Sequence, residues 1–252
     1  MVSGVSGAIG RAIAEKLARA GVALAVTGLE VDLLNEAASS LRGIGVPVFA
    51  EVANLADRAQ TRRFVKHARE AYPGGITTLV ANAGMSFKEP VRAISEAHFD
   101  HQLEVNFSAP FWLAHALIDD MKSAEGGSIV FISSTGALAA HPNSALYDSA
   151  KSALEGLTRA LAVELGPLGI RVNAVQPGHV VNGTDVPRDP DANARAHWST
   201  IPLGRPGQPE DVAELVEFLC SERATYISGT VLRVDGGRGA RSPIVVAPIP
   251  EV

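Results

Sequence analysis

One cysteine, Cys220, occurs in 252 residues, so no internal disulfide can form and a cysteine metal cluster is excluded. Positive charge is not in excess either: the net charge is −5 and no basic stripe runs along any segment, which argues against a nucleic-acid partner. No apolar run reaches the roughly 18 residues needed to span a membrane. Internal repeats and low-complexity linkers are missing, and the glycine and proline clusters all fall between expected elements. The amphipathic stretch with Arg11, Lys16 and Arg19 resembles a transit peptide, but Glu15 and a glycine turn explain it, so no targeting signal is read and a soluble, cytoplasmic protein is expected. His98 and His101 stand three apart beside Phe99 without a carboxylate or histidine to complete a metal site. They read as solvated helix positions, and no metal is expected.

What is present is enough for one large α/β core: 46% of the residues are hydrophobic, and the length leaves little room for a second domain, so residues 1–252 read as a single unit. Apolar, β-rich runs at 22–27, 46–52, 77–81, 128–132, 170–175 and 230–234 alternate with helical patterns. That order predicts a parallel sheet covered by helices on both faces. Ligands of such sheets bind beyond the carboxyl ends of the strands. The segment 4–10, Asn82-Ala83-Gly84, Ser134 and Pro177-Gly178 each follow an expected strand, so four distant segments should converge on one crevice. The irregular stretch 178–209 is too long for a plain connection and reads as a substrate loop or lid; 238–252 forms a C-terminal tail.

Tyr147 and Lys151 are four residues apart, with Ser134 thirteen before the tyrosine. Leu154, Leu157, Leu161 and Leu165 follow at helical intervals, so 147–167 is expected to be a helix that presents Tyr147 and Lys151 on one face. A phenol acting as a base near neutral pH needs about 4 kcal/mol in favour of phenolate. An ammonium one turn away supplies that sign of shift, so Lys151 is expected to hold the Tyr147 pKa down. Alone, such a pair is an ordinary surface feature. The glycine turn changes its weight: Ser3-Gly4-Val5-Ser6-Gly7-Ala8-Ile9-Gly10 runs straight into the apolar stripe of a helix, a strand end, turn and helix start whose free N–H groups suit a pyrophosphate.

Taken together, residues 4–10, Asn82-Ala83-Gly84, Asn106, Ser134, Tyr147, Lys151, Pro177-Gly178, the stretch 203–213 and Asp235-Gly236-Gly237 resemble the short-chain dehydrogenase/reductases in identity, order and spacing over nearly the whole chain. The resemblance implies a Rossmann-type doubly wound parallel sheet in a three-layer α/β/α arrangement, and an NAD(P)-dependent oxidoreductase moving a hydride between the nicotinamide and a secondary alcohol or ketone. Within it, Tyr147 is the general acid in reduction and the base in oxidation. Ser134 hydrogen-bonds the substrate oxygen, Lys151 holds the nicotinamide ribose, and Asn106 positions a water linking Lys151 to solvent. Cofactor contacts fall to Gly4, Ser6, Ala8, Ile9, Gly10, Leu29, Glu51, Val52, Asn82, Ala83, Gly84, Tyr147, Lys151, Pro177, Gly178, Val180 and Asn182. The resemblance also implies a homo-oligomer, a tetramer or dimer, with the apolar tail lying across a neighbouring subunit.

Several positions depart from the family pattern. Ala8 replaces the usual glycine, and only Met1 and Val2 precede the turn where a longer first strand is usual. Gly28 and Leu29 stand where an acidic or basic residue commonly selects the cofactor; Glu30 would repel a 2′-phosphate, which favours NAD over NADP. Glu51-Val52 takes the place of an aspartate-led pair at the adenine, and Asn182 that of a threonine near the carboxamide. Met85, Phe87, Leu138, His141, His179 and Trp198 are the expected substrate walls, compatible with a sugar, cyclic alcohol, steroid or oxoacyl group. Two alternatives stay open: a non-catalytic dinucleotide-binding relative acting as sensor or scaffold, and an isomerase or epimerase using bound cofactor transiently.

Overall fold

The computed structural model describes residues 1–181 and 198–241. Seven strands, β1 (Val2–Ser3), β2 (Leu24–Gly28), β3 (Val48–Val52), β4 (Thr78–Ala81), β5 (Gly127–Ile132), β6 (Ile170–Pro177) and β7 (Val231–Val234), form one sheet in the order β3-β2-β1-β4-β5-β6-β7. Every pairing is parallel, and the order reverses between β1 and β4. A parallel sheet buries both faces, and the strands show it: Val130 and Ile132 enter one apolar cluster while their neighbours Ile129 and Phe131 enter the other.

Each cluster is closed by three helices. On one face lie α1 (Ala8–Arg19), α2 (Val31–Gly43) and α7 (Pro209–Cys220), contributing Ile13, Leu17, Leu34, Leu41, Val212 and Val216. On the other lie α3 (Arg58–Ala71), α5 (Ala109–Ser123) and α6 (Ala145–Leu165), contributing Phe64, Leu113, Leu117, Leu154, Leu161 and Leu165. Burial of each such side chain is worth about 1.5–3 kcal/mol. Among the described residues the remaining α-helix, α4 (Glu96–Leu103), continues through a π-helical turn, Glu104–Ser108, directly into α5. Among the described residues no helix is long and apolar enough to cross a membrane.

All six expected strands are present, with ends displaced by two residues or fewer. The strand expected from residue 46 starts at Val48, since Pro47 has no N–H for the ladder and uses only its carbonyl, which accepts from Leu24 N at 2.9 Å. Helix α6 begins two residues earlier and ends two earlier than the 147–167 expectation. β1 is as short as the sequence suggests. Its Val2 still pairs with Val26 and Val80, and the Met1 ammonium donates to Thr78 O at 2.6 Å.

Candidate active site

Beyond the carboxyl ends of β1, β2, β4, β5 and β6 lies a crevice of about 540 Å³. Its floor is the turn 4–10. Gly10 there cannot be replaced without backbone movement, because a Cβ would stand 2.2 Å from Gly4 O. Asn82 locks this turn to the end of β4: its Nδ2 donates to Ser3 O and Gly4 O, both at 3.1 Å, while Ser3 Oγ accepts from Asn82 N and Ala83 N at 3.0 Å. No side chain caps the first turn of α1, leaving its positive end facing the crevice.

The residues fit a dinucleotide. Ser6 Oγ and Thr27 Oγ1 are buried at the crevice wall without hydrogen-bond partners, which is costly unless a ligand supplies them, and the uncapped helix start suits a pyrophosphate. At the end of β2 a Cβ on Gly28 would lie 2.1 Å from Ser6 Oγ, so a larger residue there would need the serine side chain to move.

Of the expected cofactor contacts, Gly4, Ser6, Ala8, Ile9, Gly10, Leu29, Asn82, Ala83, Gly84, Tyr147, Lys151, Pro177, Gly178 and Val180 line the crevice. Asn182 lies outside the described residues. Glu51 and Val52 correct the expectation, for neither reaches the crevice. Glu51 turns to α3, where its carboxylate accepts from Arg63 Nε at 2.9 Å and meets His67 Nδ1 at 2.7 Å. Burial pushes its pKa up, but the hydrogen bonds from Arg63 and His67 outweigh this and hold it below the ordinary value. Three residues further on, Asn54 and Leu55 line the wall instead, just before the Asp57 cap of α3. The signal that could have found them is that cap, whose carboxylate accepts from Ala59 N and Gln60 N.

Ser134, at the end of β5, faces Tyr147 on α6. Lys151 is 3% exposed, and its Nζ donates to Ile132 O at 2.9 Å and lies 5.6 Å from the centre of the Tyr147 ring. Burial lowers its pKa to about 8. The expected depression of the phenol is not found: burial raises the Tyr147 pKa above its ordinary value, hydrogen bonding with Ser134 opposes that, and Asp148 adds to it. The lysine amine donates to the carbonyl of Ile132, and the neighbouring Asp148 carboxylate disfavours phenolate.

Asn106 is fully buried in the π-helical turn, where its Oδ1 accepts from Met85 N at 3.1 Å and its Nδ2 donates to Met85 O at 2.7 Å and Gln102 O at 2.9 Å. It does not line the crevice; it pins the segment after Gly84 that does. The two histidines read as solvated separate here. His98 stacks on Phe87 and meets Glu89 at 3.1 Å, whereas His101 lines the crevice, a site residue the sequence reading missed. Of the expected substrate walls Met85 lines the crevice; Phe87, Leu138, His141, His179 and Trp198 do not. Leu138 is 57% exposed, and His141 turns towards Asp148.

Behind the site, Gly178 N donates to Val234 O at 2.8 Å, and Asp235 accepts from Gly237 N and Gly239 N, so the Asp-Gly-Gly motif braces the end of β6. Arg205 grips Asp211 through two bonds of 2.7 and 2.9 Å at the start of α7. Of the tail, 242–252 lies outside the described residues.

A single-domain α/β protein with a glycine turn under its crevice and a tyrosine and lysine on one wall is of the dinucleotide-binding class. A family model described as enoyl-(acyl carrier protein) reductase matches residues 4–238. Human dehydrogenase/reductase SDR family member 4 is 34% identical over 96% of this chain and 87% of its own length. A 3α-hydroxysteroid dehydrogenase of Mediterraneibacter gnavus is 34% identical over 94% of each chain. The crystal structure of L-sorbose reductase from Gluconobacter frateurii, complexed with NADPH and L-sorbose, superposes with a TM-score of 0.88 at 31% identity, covering 94% of each chain. The chain belongs to the short-chain dehydrogenase/reductase family of oxidoreductases.

Proposed function

We propose that this protein is an NAD(P)-dependent alcohol dehydrogenase or ketone reductase acting on a secondary alcohol or ketone, with Tyr147 as its general acid and base. The observation that carries the reading is the meeting of Ser134 and Tyr147 at the crevice, with Lys151 buried directly behind them. When bound, the dinucleotide supplies or accepts the hydride. Tyr147 gives its proton to the carbonyl oxygen as that carbon is reduced, and takes a proton back from the hydroxyl in oxidation. Burial raises the Tyr147 pKa, so oxidation, which needs the phenolate, is expected to require a higher pH than reduction. Ser134 donates to the substrate oxygen as charge develops. Lys151 is set to hold a ribose hydroxyl, and its tie to Ile132 O aligns it for that.

The glycine turn, the start of α1, Asn54 and Leu55 hold the adenosine and pyrophosphate, with Ser6 and Thr27 supplying neutral hydroxyls. No cation lines the crevice near Gly28 among the described residues, which supports NAD over NADP. Fluorescence titration with NADH and NADPH, followed by a ketone and alcohol screen that includes hydroxysteroids and ketoses, tests the reading. Binding of one dinucleotide with turnover of at least one ketone is expected. Binding of neither would sink it and favour the sensor or scaffold alternative. A dimer or tetramer is the assembly that goes with this reading, and a monomer in light scattering would refute it.

A further inference from the structure

Glu155 lies one helical turn beyond Lys151 and two beyond Tyr147, on the same face of α6. One oxygen of its carboxylate, Oε1, accepts from Ser133 Oγ at 2.7 Å and from Gln176 Nε2 at 2.8 Å. Both donors are 4% exposed. They are the residues immediately before Ser134 and before Pro177-Gly178, so a single atom joins α6 to the ends of β5 and β6. Ser133 Oγ also lies 3.4 Å from Lys151 O.

The sheet cannot set this geometry alone. The β5–β6 register ends at Ile132 opposite Val175, with one further bond from Ser133 N to Val175 O at 2.7 Å. From there the two chains part, one towards Ser134 and the other towards Gly178. Nothing in the ladder fixes how far along, or how rotated about its axis, α6 sits relative to them. The Glu155 bonds add to the Lys151 Nζ–Ile132 O bond and the packing of Leu154 and Leu161 in setting it, and charge-assisted bonds are roughly twice as strong as neutral ones. Glu155 does not line the crevice. We propose that Glu155 is a positioning residue for the hydride-transfer site, holding Tyr147 in register with Ser134 and the Pro177-Gly178 turn through Ser133 and Gln176. The proposal rests on the oxidoreductase reading for its kinetic consequence, though not for its structural one.

Two variants test it. Glu155→Ala removes the shared acceptor; Glu155→Gln keeps an oxygen at the same place without the charge. In Glu155→Ala, kcat should fall about 10- to 100-fold with KM nearly unchanged, the effect of moving a catalytic group by up to an ångström. Glu155→Gln should recover most of it. A second readout is independent of turnover: protein labelled with 3-fluorotyrosine has three tyrosines, and the Tyr147 resonance is assigned by its loss in Tyr147→Phe. That resonance should move in Glu155→Ala and return in Glu155→Gln. Wild-type kcat and an unmoved resonance in Glu155→Ala would overturn the proposal, as would a Glu155→Gln variant as impaired as the alanine. Should Glu155→Ala not fold, Gln176→Leu and Ser133→Ala break the same bonds from the other side and should show the same two changes. If the wild-type protein turns over no substrate, the oxidoreductase reading fails on that result, and the fluorine resonance alone decides the role of Glu155.

Discussion

Lys151 donates a hydrogen bond to the carbonyl oxygen of Ile132, the last residue of β5, from a position almost closed to solvent. The amine thereby ties α6 to the strand end that leads to Ser134, and burial brings its pKa to about 8.

That burial has a measurable signature. With the folded pKa near 8 and the unfolded one near 10.5, the unfolded chain binds more protons between those values, so this group makes stability rise with pH across that window. The full effect is about 3 kcal/mol. Cys220, whose thiol burial pushes up to about 12, has the opposite slope above its ordinary value of 9.0 and is common to both proteins compared. Urea denaturation of wild type and Lys151→Met at pH 8 and pH 10 should therefore show the variant gaining less with pH. Equal gains would contradict the burial of a titrating amine.

Tyr147→Phe removes the proton donor without disturbing the glycine turn. Turnover should drop by about 100-fold or more, while the dissociation constant for the preferred dinucleotide stays within a few-fold of wild type. Retained turnover in a steady-state assay would refute Tyr147 as the acid.

Asp148, 4% exposed, accepts from His141 N at 2.7 Å and meets the His141 ring at 3.1 Å; its charge adds to the rise in the Tyr147 pKa. Asparagine at 148 keeps an acceptor for the backbone N–H and removes the charge. The Tyr147 pKa should then fall, and the pH profile of alcohol oxidation, which needs phenolate, should move to lower pH. A profile unmoved or moved upward would show that Asp148 does not act on the phenol.

Gly10→Ala places a methyl 2.2 Å from Gly4 O, and backbone must shift to admit it. A loss of about 1–3 kcal/mol is expected, with dinucleotide affinity lost in parallel. Thermal unfolding and the fluorescence titration together check this.

Much of the site was legible in the sequence because it rests on short-range geometry. Four residues of helix put Tyr147 and Lys151 on one face whatever surrounds them, and alternating apolar runs and helical stripes predict the parallel sheet and its crevice. Asn54 and Leu55 were missed because strand length alone does not say where a chain leaves the sheet; Glu51 looked suitable by type, yet its side chain faces α3. His101 was missed because its exposure depends on which way α4 leans against the segment after Gly84.

The sequence by itself determined the fold class, the order of elements and the candidate side chains for proton transfer, since these follow from periodicity, glycine placement and residue type. Only the tertiary structure decided the acidity of Tyr147, the partner of Lys151, the residues at the crevice wall and the meeting of Ser133, Glu155 and Gln176 at one oxygen. Burial and hydrogen bonding between residues far apart in the chain set all four, and neither is a property of any local stretch.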